Sequence, residues 1–232
     1  EKMNLEIPVR SFNSQNLNTW RIPLIQHNML WMGDFYAEGN ELDMPKFVSQ
    51  GIDISKFDLP KNYICINSTH NALNKEFYPH HIQAIVDWVA KKGITPVLLG
   101  RTEQKFITVD GVEAPTNFGG TSELPGAYSL VNKTSLLEAG AIMERAKAVV
   151  GIDGGLIHLA ACTDAPIVCG FSVVKPKLFT PQRDGVVGKQ YYVVEPDESL
   201  GCKFCHSQVN FVNHGDVFAC FYKDRLCLDQ LT

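Results

Sequence analysis

From residue 62 onward, short apolar runs alternate with amphipathic stretches, and that alternation leaves few folds open to the chain. Tyr63-Ile64-Cys65-Ile66 has the make-up of a buried strand and ends in the polar turn Asn67-Ser68-Thr69-His70-Asn71. Pro79 then opens a helical stretch. Ile82, Ile85, Val86 and Val89 recur in it at the spacing of one helix face, and Lys91-Lys92-Gly93 stops it with cations and a glycine. Pro96-Val97-Leu98-Leu99 is the next strand, closed by Gly100, and a hairpin is expected around Asp110-Gly111. Tyr128-Ser129-Leu130-Val131 is strand-like. Thr134 or Asn132 can cap a helix that runs to about Ala146, with Leu136, Leu137, Ala141, Ile142 and Ala146 as its apolar face. Ala148 to Ile152, Pro166 to Phe171 and Tyr191 to Val194 are further strands, with a helix from Gly155 to about Thr163 between the first two. Strands separated by helices join through right-handed crossovers and pair in parallel, with helices on both faces. The expectation is an α/β fold with a Rossmann-like parallel sheet.

Residues 1–60 lack clean periodicity, so the sequence divides into a leading segment 1–60, an α/β body 61–196 and a cysteine-rich tail 197–232. The net charge is −4 and the pI near 6.0, so no general pull toward nucleic acid is expected. No apolar run approaches the roughly 18 residues of a membrane span.

The stretch Asp153-Gly154-Gly155-Leu156-Ile157-His158 carries the most chemistry. It lies at a strand's carboxyl end, where open parallel sheets bind ligands, and where a helix begins. Two glycines allow close approach of a ligand to the backbone and are expected to adopt dihedrals that other residues resist. The unpaired N–H groups and partial positive charge of a helix start suit phosphate. His158, one turn in, can reach back to the same mouth, and Asp153 can accept hydrogen bonds from ribose or sugar hydroxyls. The plainer alternative is a tight turn in which Asp153 merely caps the helix and His158 is a half-buried structural residue.

The order of segments adds to this. Lys133-Thr134-Ser135-Leu136-Leu137, an Ala-rich helix, Gly151-Ile152-Asp153-Gly154-Gly155, His158-Leu159-Ala160-Ala161 and then Pro166-Ile167-Val168 resemble the signature of glycosyltransferase family 9. That family includes the ADP-heptose:lipopolysaccharide heptosyltransferases. Gly154 stands where the family usually has Ser or Thr. Ser68-Thr69 with Lys75-Glu76-Phe77-Tyr78-Pro79, and Leu98-Leu99-Gly100-Arg101-Thr102-Glu103, resemble two further loops of the family, with Phe77 or Tyr78 in place of a Trp and Arg101 in place of a common Gly.

The resemblance implies the carboxy-terminal, donor-binding lobe of a GT-B enzyme, with a short or incomplete amino-terminal lobe ahead of it. It implies that Lys75 pairs with a donor diphosphate, and that Thr69 and the N–H groups of Gly154 and Gly155 hydrogen-bond the phosphates. Glu103 would take the ribose hydroxyls, Thr134 would lie near the nucleobase, and His158 would support the phosphates. The implied reaction transfers a heptose-like sugar from a nucleoside-diphosphate donor to a surface glycan or lipopolysaccharide-type, lipid-linked acceptor. It would proceed with inversion and without a metal cofactor, in a cytoplasmic protein or one peripheral to the inner membrane. No catalytic base is assigned; Asp34 and Glu38 are the candidates upstream. The alternatives are a non-catalytic nucleotide-sugar-binding module and a transferase acting on a modified nucleic-acid base, against which the acidic pI weighs.

Cys65, Cys162 and Cys169 fall in apolar context and read as core thiols. Cys202, Cys205, Cys220 and Cys227 cluster at the end. The Cys202-x-x-Cys205 pair has the spacing of a zinc knuckle and the second pair is looser, with His206 and His214 as substitute ligands. A structural zinc, two disulfides and free thiols are the three readings.

Overall fold

The computed structural model describes residues 45–70, 75–103, 106–109, 112–115, 119–183, 186–205, 220 and 225–231. Asp34, Glu38, His206 and His214 lie outside the described residues. After a 3-10 turn at Ser55–Phe57 the elements begin with β1 (Tyr63–Asn67), β2 (Thr69–His70), α1 (Pro79–Ala90) and β3 (Thr95–Leu99). The chain continues through β4 (Phe106–Val109), β5 (Val112–Pro115), β6 (Gly119–Gly120), β7 (Tyr128–Ser129), α2 (Leu136–Glu144) and β8 (Val149–Ile152). It ends with α3 (Gly155–Ala161), β9 (Ile167–Gly170), α4 (Pro176–Phe179), β10 (Gln182–Arg183), β11 (Val186–Val187), β12 (Tyr191–Val194) and α5 (Leu226–Asp229).

Six strands form one sheet in the order β12-β9-β8-β1-β3-β7. Each neighbouring pair in it is parallel. This is the Rossmann-like α/β sheet that the alternation of strands and helices predicts. From β1 the chain builds outward through β3 to β7, then returns to the other side of β1 and builds through β8 and β9 to β12. The reversal between β1 and β8 opens a crevice at their carboxyl ends, the place where doubly wound sheets bind ligands.

Local chemistry explains the helices. Pro79 begins α1, where its fixed φ suits a first turn and its missing N–H is not needed. Ile82, Val86 and Val89 are its buried stripe, each burial contributing roughly 1.5–3 kcal/mol. Gly93, at φ +70°, turns the chain into β3.

The N-terminus of α2 differs from expectation. Its cap is Ser135, not Thr134 or Asn132. Ser135 Oγ accepts the Glu138 N–H at 3.2 Å, and Glu138 returns a carboxylate oxygen to the Ser135 N–H at 2.7 Å. Asn132 sits at φ +63°, outside the extended conformation a cap requires, and its Oδ1 accepts the Thr102 N–H at 2.9 Å. The buried face of α2 is Ala139 to Met143, with Ala146 beyond it. Leu136 and Leu137 are instead 64% and 61% exposed.

The loop after β3 holds the expected hairpin. β4 and β5 pair antiparallel, Val109 opposite Val112, around Asp110 and Gly111, which lie outside the described residues. Only Tyr128 and Ser129 of the segment 128–131 pair as strand. Cys65 and Cys169 are fully buried in the core and Cys162 is half-buried. Among the described residues no helix is long and apolar enough to cross a membrane.

Candidate functional site

A cavity of about 380 Å³ opens at the carboxyl ends of β1, β3 and β8. Asn67 ends β1, Gly100 follows β3, and Asp153 to Gly155 lead from β8 into α3; all of them line it. Each strand therefore delivers a polar or glycine-bearing turn to one mouth.

The walls follow from the local sequence. Gly100 has φ +144°, and a Cβ there would overlap the Thr69 side chain. Its lack of a side chain lets the Thr69 hydroxyl lie over the turn, where Oγ1 accepts the Arg101 N–H at 3.0 Å. The short β2–β6 ladder, His70 opposite Gly119, fixes the strip that carries Thr69 and His70. Gly151 has room for no side chain, since a Cβ would come within 2.7 Å of Ile157 Cδ1; that close packing seats α3 on β8.

Asp153 is the electrostatic centre. It is 4% exposed, and its Oδ2 lies 2.6 Å from Lys75 Nζ. Its Oδ1 is buried, with His158 Nε2 3.4 Å away, too long and poorly aligned for a full hydrogen bond. Burial pulls the Asp153 carboxyl upward, but His158 and Lys75 outweigh it, and the group is held below the ordinary carboxylate range. The carboxylate is ionised, with Oδ2 committed to Lys75 and Oδ1 met only by the more distant His158 Nε2.

Of the residues singled out in the sequence, Thr69, Lys75, Thr134, Asp153, Gly154 and Gly155 line this one cavity. Glu103 and His158 do not line it, although His158 touches it through Asp153. Gly154 and Gly155 do not have the glycine-only backbone expected of them. Gly154 is fully extended (φ 176°, ψ 178°), and a Cβ on either would meet ordinary contact or open space. Sequence reasoning missed His70, Arg101 and Ser135 in the lining. Ser135 had a readable signal, the Ser-x-x-Glu spacing of a capping box. His70 and Arg101 had none beyond their place in strand-end turns.

The tail presents all four of its cysteines as free thiols. Burial pushes the Cys227 thiol up to about 12, and the nearby Cys205, Cys202 and Cys220 thiols push the same way. Three of the thiols thus lie within electrostatic reach of Cys227. Among the described residues, however, no three His, Cys, Asp or Glu form a group arranged to hold a metal ion.

The sequence profile of glycosyltransferase family 9 (heptosyltransferase) matches residues 44–202. No curated protein matches the chain by sequence. Among solved structures, the iron-containing dodecameric glycosyltransferase TibC from enterotoxigenic E. coli is 18% identical with TM-score 0.54, over 75% of this chain and 42% of that one. TibC in complex with ADP-D-β-D-heptose gives 18% and 0.53 over the same shares. Heptosyltransferase II of E. coli is 16% identical over 68% of this chain and 49% of its own, with TM-score 0.46. The chain thus spans less than half the length of each of these structures. At these identities the likeness to TibC speaks for the fold, and it agrees with the parallel sheet described above.

Proposed function

The chain belongs to glycosyltransferase family 9, the heptosyltransferase family, and from that premise we propose that the cavity between β1 and β8 holds a nucleoside-diphosphate sugar for transfer to an acceptor. The observation that carries this reading is the meeting of Lys75 with the Asp153-Gly154-Gly155 turn at the sheet's switch point. A lysine with a partly buried side chain at that mouth is a point charge suited to a diphosphate. The Thr69 hydroxyl already accepts the Arg101 N–H, which leaves its own proton to give to a phosphate oxygen. The Asp153 carboxylate is an acceptor for a sugar or ribose hydroxyl once ligand entry uncovers its buried Oδ1.

The chemistry follows from charge. Cleavage of the glycosidic bond leaves a nucleoside diphosphate, whose negative charge grows in the transition state. Lys75 and the amides that open α3 are fixed donors aimed at that charge, and preorganised donors lower such a barrier without reorganising. We infer that these donors stand in for a divalent cation, and that the reaction inverts through an oxocarbenium-like state. The solved complex of TibC with ADP-D-β-D-heptose makes an ADP-activated heptose the first donor to try. A surface glycan or lipopolysaccharide-type acceptor, reached from the cytoplasmic face of the membrane, is the acceptor class proposed. Glu103 and Thr134 are proposed to face the ribose and base.

Calorimetric titration with ADP-, UDP- and GDP-sugars tests the reading. One nucleotide should bind, and turnover should persist in excess chelator. Absence of binding to any of the three, or activity that requires added metal, would contradict it.

We also propose a structural metal in the tail, favoured by the nearness of Cys202, Cys205 and Cys220 to Cys227. Four soft thiolates suit zinc or iron and would leave no open coordination position; TibC is described as iron-containing. Elemental analysis should find about one metal ion per chain, as four protein ligands imply. A folded protein free of both metals would count against it.

A further inference from the structure

A chain of polar side chains runs from the cysteine tail to the wall of the pocket. Arg225 immediately precedes α5, and its Nη1 lies 2.5 Å from Glu76 Oε1. The other Glu76 oxygen lies 2.7 Å from His70 Nε2. Glu76 adjoins Lys75 in sequence, and both His70 and Lys75 line the pocket. The Arg225, Glu76 and His70 side chains are 29%, 17% and 5% exposed, so the links grow drier toward the site.

Each link restrains the next. Burial pulls the Glu76 carboxyl upward, but the His70 and Arg225 contacts outweigh it and hold it below its ordinary range. An ionised carboxylate held at both oxygens keeps one orientation. The His70 ring lies against Gly119, where a Cβ would stand 3.0 Å from Cε1 and Nε2, and its Nδ1 is buried with no partner. Its contact with Glu76 is therefore what fixes the ring. Arg225 itself sits at φ +47°, a conformation that side chains other than glycine adopt reluctantly and keep where surroundings dictate it. Its guanidinium is also 5.3 Å from the Tyr78 ring.

The apolar layer beneath runs the same way. Leu228 and Leu231 of the tail pack with Ile152, the last residue of β8, and with Phe77 and Tyr78. Gly170 leaves space for this: a Cβ there would lie 3.1 Å from Phe77 and 3.3 Å from Leu231.

The geometry points to Arg225 as a positioning residue for the pocket: through Glu76 it fixes His70 and the backbone that carries Lys75, so docking of the cysteine tail sets the affinity for a diphosphate. This rests on the reading of the pocket as a nucleoside-diphosphate site. Without Arg225, Glu76 is held at one oxygen only, and the segment that bears Lys75 spends less time in the binding arrangement. Apparent affinity then falls in proportion to that fraction.

The test is calorimetric titration of the whole chain with ADP, or with UDP or GDP if the wild type prefers one of them. R225A should weaken binding by about five- to tenfold, the scale of a coupling carried through intervening residues. R225K should recover part of the loss. In a K75A background, R225A should cost less than in the wild type, because part of its effect runs through Lys75. E76Q removes the carboxylate charge that meets Arg225 and His70 while keeping the side chain's shape, and it should cost at least as much as R225A; it takes that variant's place if R225A does not fold. If the wild type binds no nucleoside diphosphate, the pocket reading itself fails. If the wild type binds and R225A and E76Q bind equally well, or if R225A costs as much with K75A as without it, the positioning role is wrong.

Discussion

Lys75 Nζ lies 2.6 Å from Asp153 Oδ2 across the mouth of the pocket, so the cation that would meet a diphosphate is already held by a buried carboxylate. Any anion that enters must share Lys75 with Asp153. D153N should therefore bind ADP more tightly than wild type, by up to about tenfold, or ~1.4 kcal/mol. It should also lose the extra affinity that a nucleotide-sugar has over ADP, because Asp153 Oδ1 would no longer be a charged acceptor. Paired titrations of ADP and the sugar nucleotide check both halves; weaker ADP binding in D153N would refute the competition.

K75A should weaken ADP binding and also lower stability, since it strands a carboxylate that is 4% exposed. Removing one partner of a buried pair costs roughly 3–5 kcal/mol; with Lys75 23% exposed, the low end is expected. Urea unfolding measures it, and a stability loss below about 0.5 kcal/mol, the ordinary scatter of surface substitutions, would show that the pair is not structural.

The acid limb of stability should depend on Asp153 and Glu76. Both carboxyls are depressed below their ordinary values of 3.8 and 4.5. A depressed carboxyl contributes stability that is complete above its unfolded-state value and is lost as pH falls through the lower folded-state value. Wild type should therefore weaken progressively below about pH 4.5. D153N and E76Q should each start less stable at neutral pH and lose less on acidification. Denaturant titrations at neutral pH and near pH 3 compare them; parallel losses in all three proteins would contradict this assignment.

Two glycines of the site should respond oppositely to substitution. G154S places a side chain on an extended backbone at the helix N-cap, where the nearest atom to a new Cβ is 3.6 Å away. Ser and Gly differ there by only a few tenths of a kcal/mol, so G154S should fold with near-wild-type stability. G100A meets both a left-handed φ and the Thr69 side chain. It should destabilise by over about 1 kcal/mol and weaken ADP binding by displacing Thr69. Equal thermal midpoints for the two variants would contradict the contrast.

These cases show which features the sequence carries. The strands were legible because Ile64, Ile66, Val97, Leu98, Val149 and Ile167 fall in short apolar runs punctuated by Gly and Pro. The turns that form the mouth followed from those boundaries. The Ser135–Glu138 box was also legible, through its spacing, yet Thr134 and Asn132 compete for the same role; the reciprocal hydrogen bonds at Ser135 and the left-handed backbone of Asn132 decide between them in the folded chain. The dihedrals of Gly154 and Gly155 are set by how α3 seats on β8, which residue type does not report. Arg225 and Glu76 are 149 residues apart, and no local pattern brings them together. The packing of Leu228 and Leu231 under Phe77 does so, and it exists only in the folded chain.

Crystals grown with ADP test the central claim most directly. The diphosphate should occupy the cavity with its oxygens within hydrogen-bonding reach of Lys75 Nζ and of the Gly154 and Gly155 amides, the Lys75–Asp153 contact lengthening to admit it. Nucleotide bound elsewhere on the chain, or a closed Lys75–Asp153 pair with the cavity empty at saturating ADP, would contradict it.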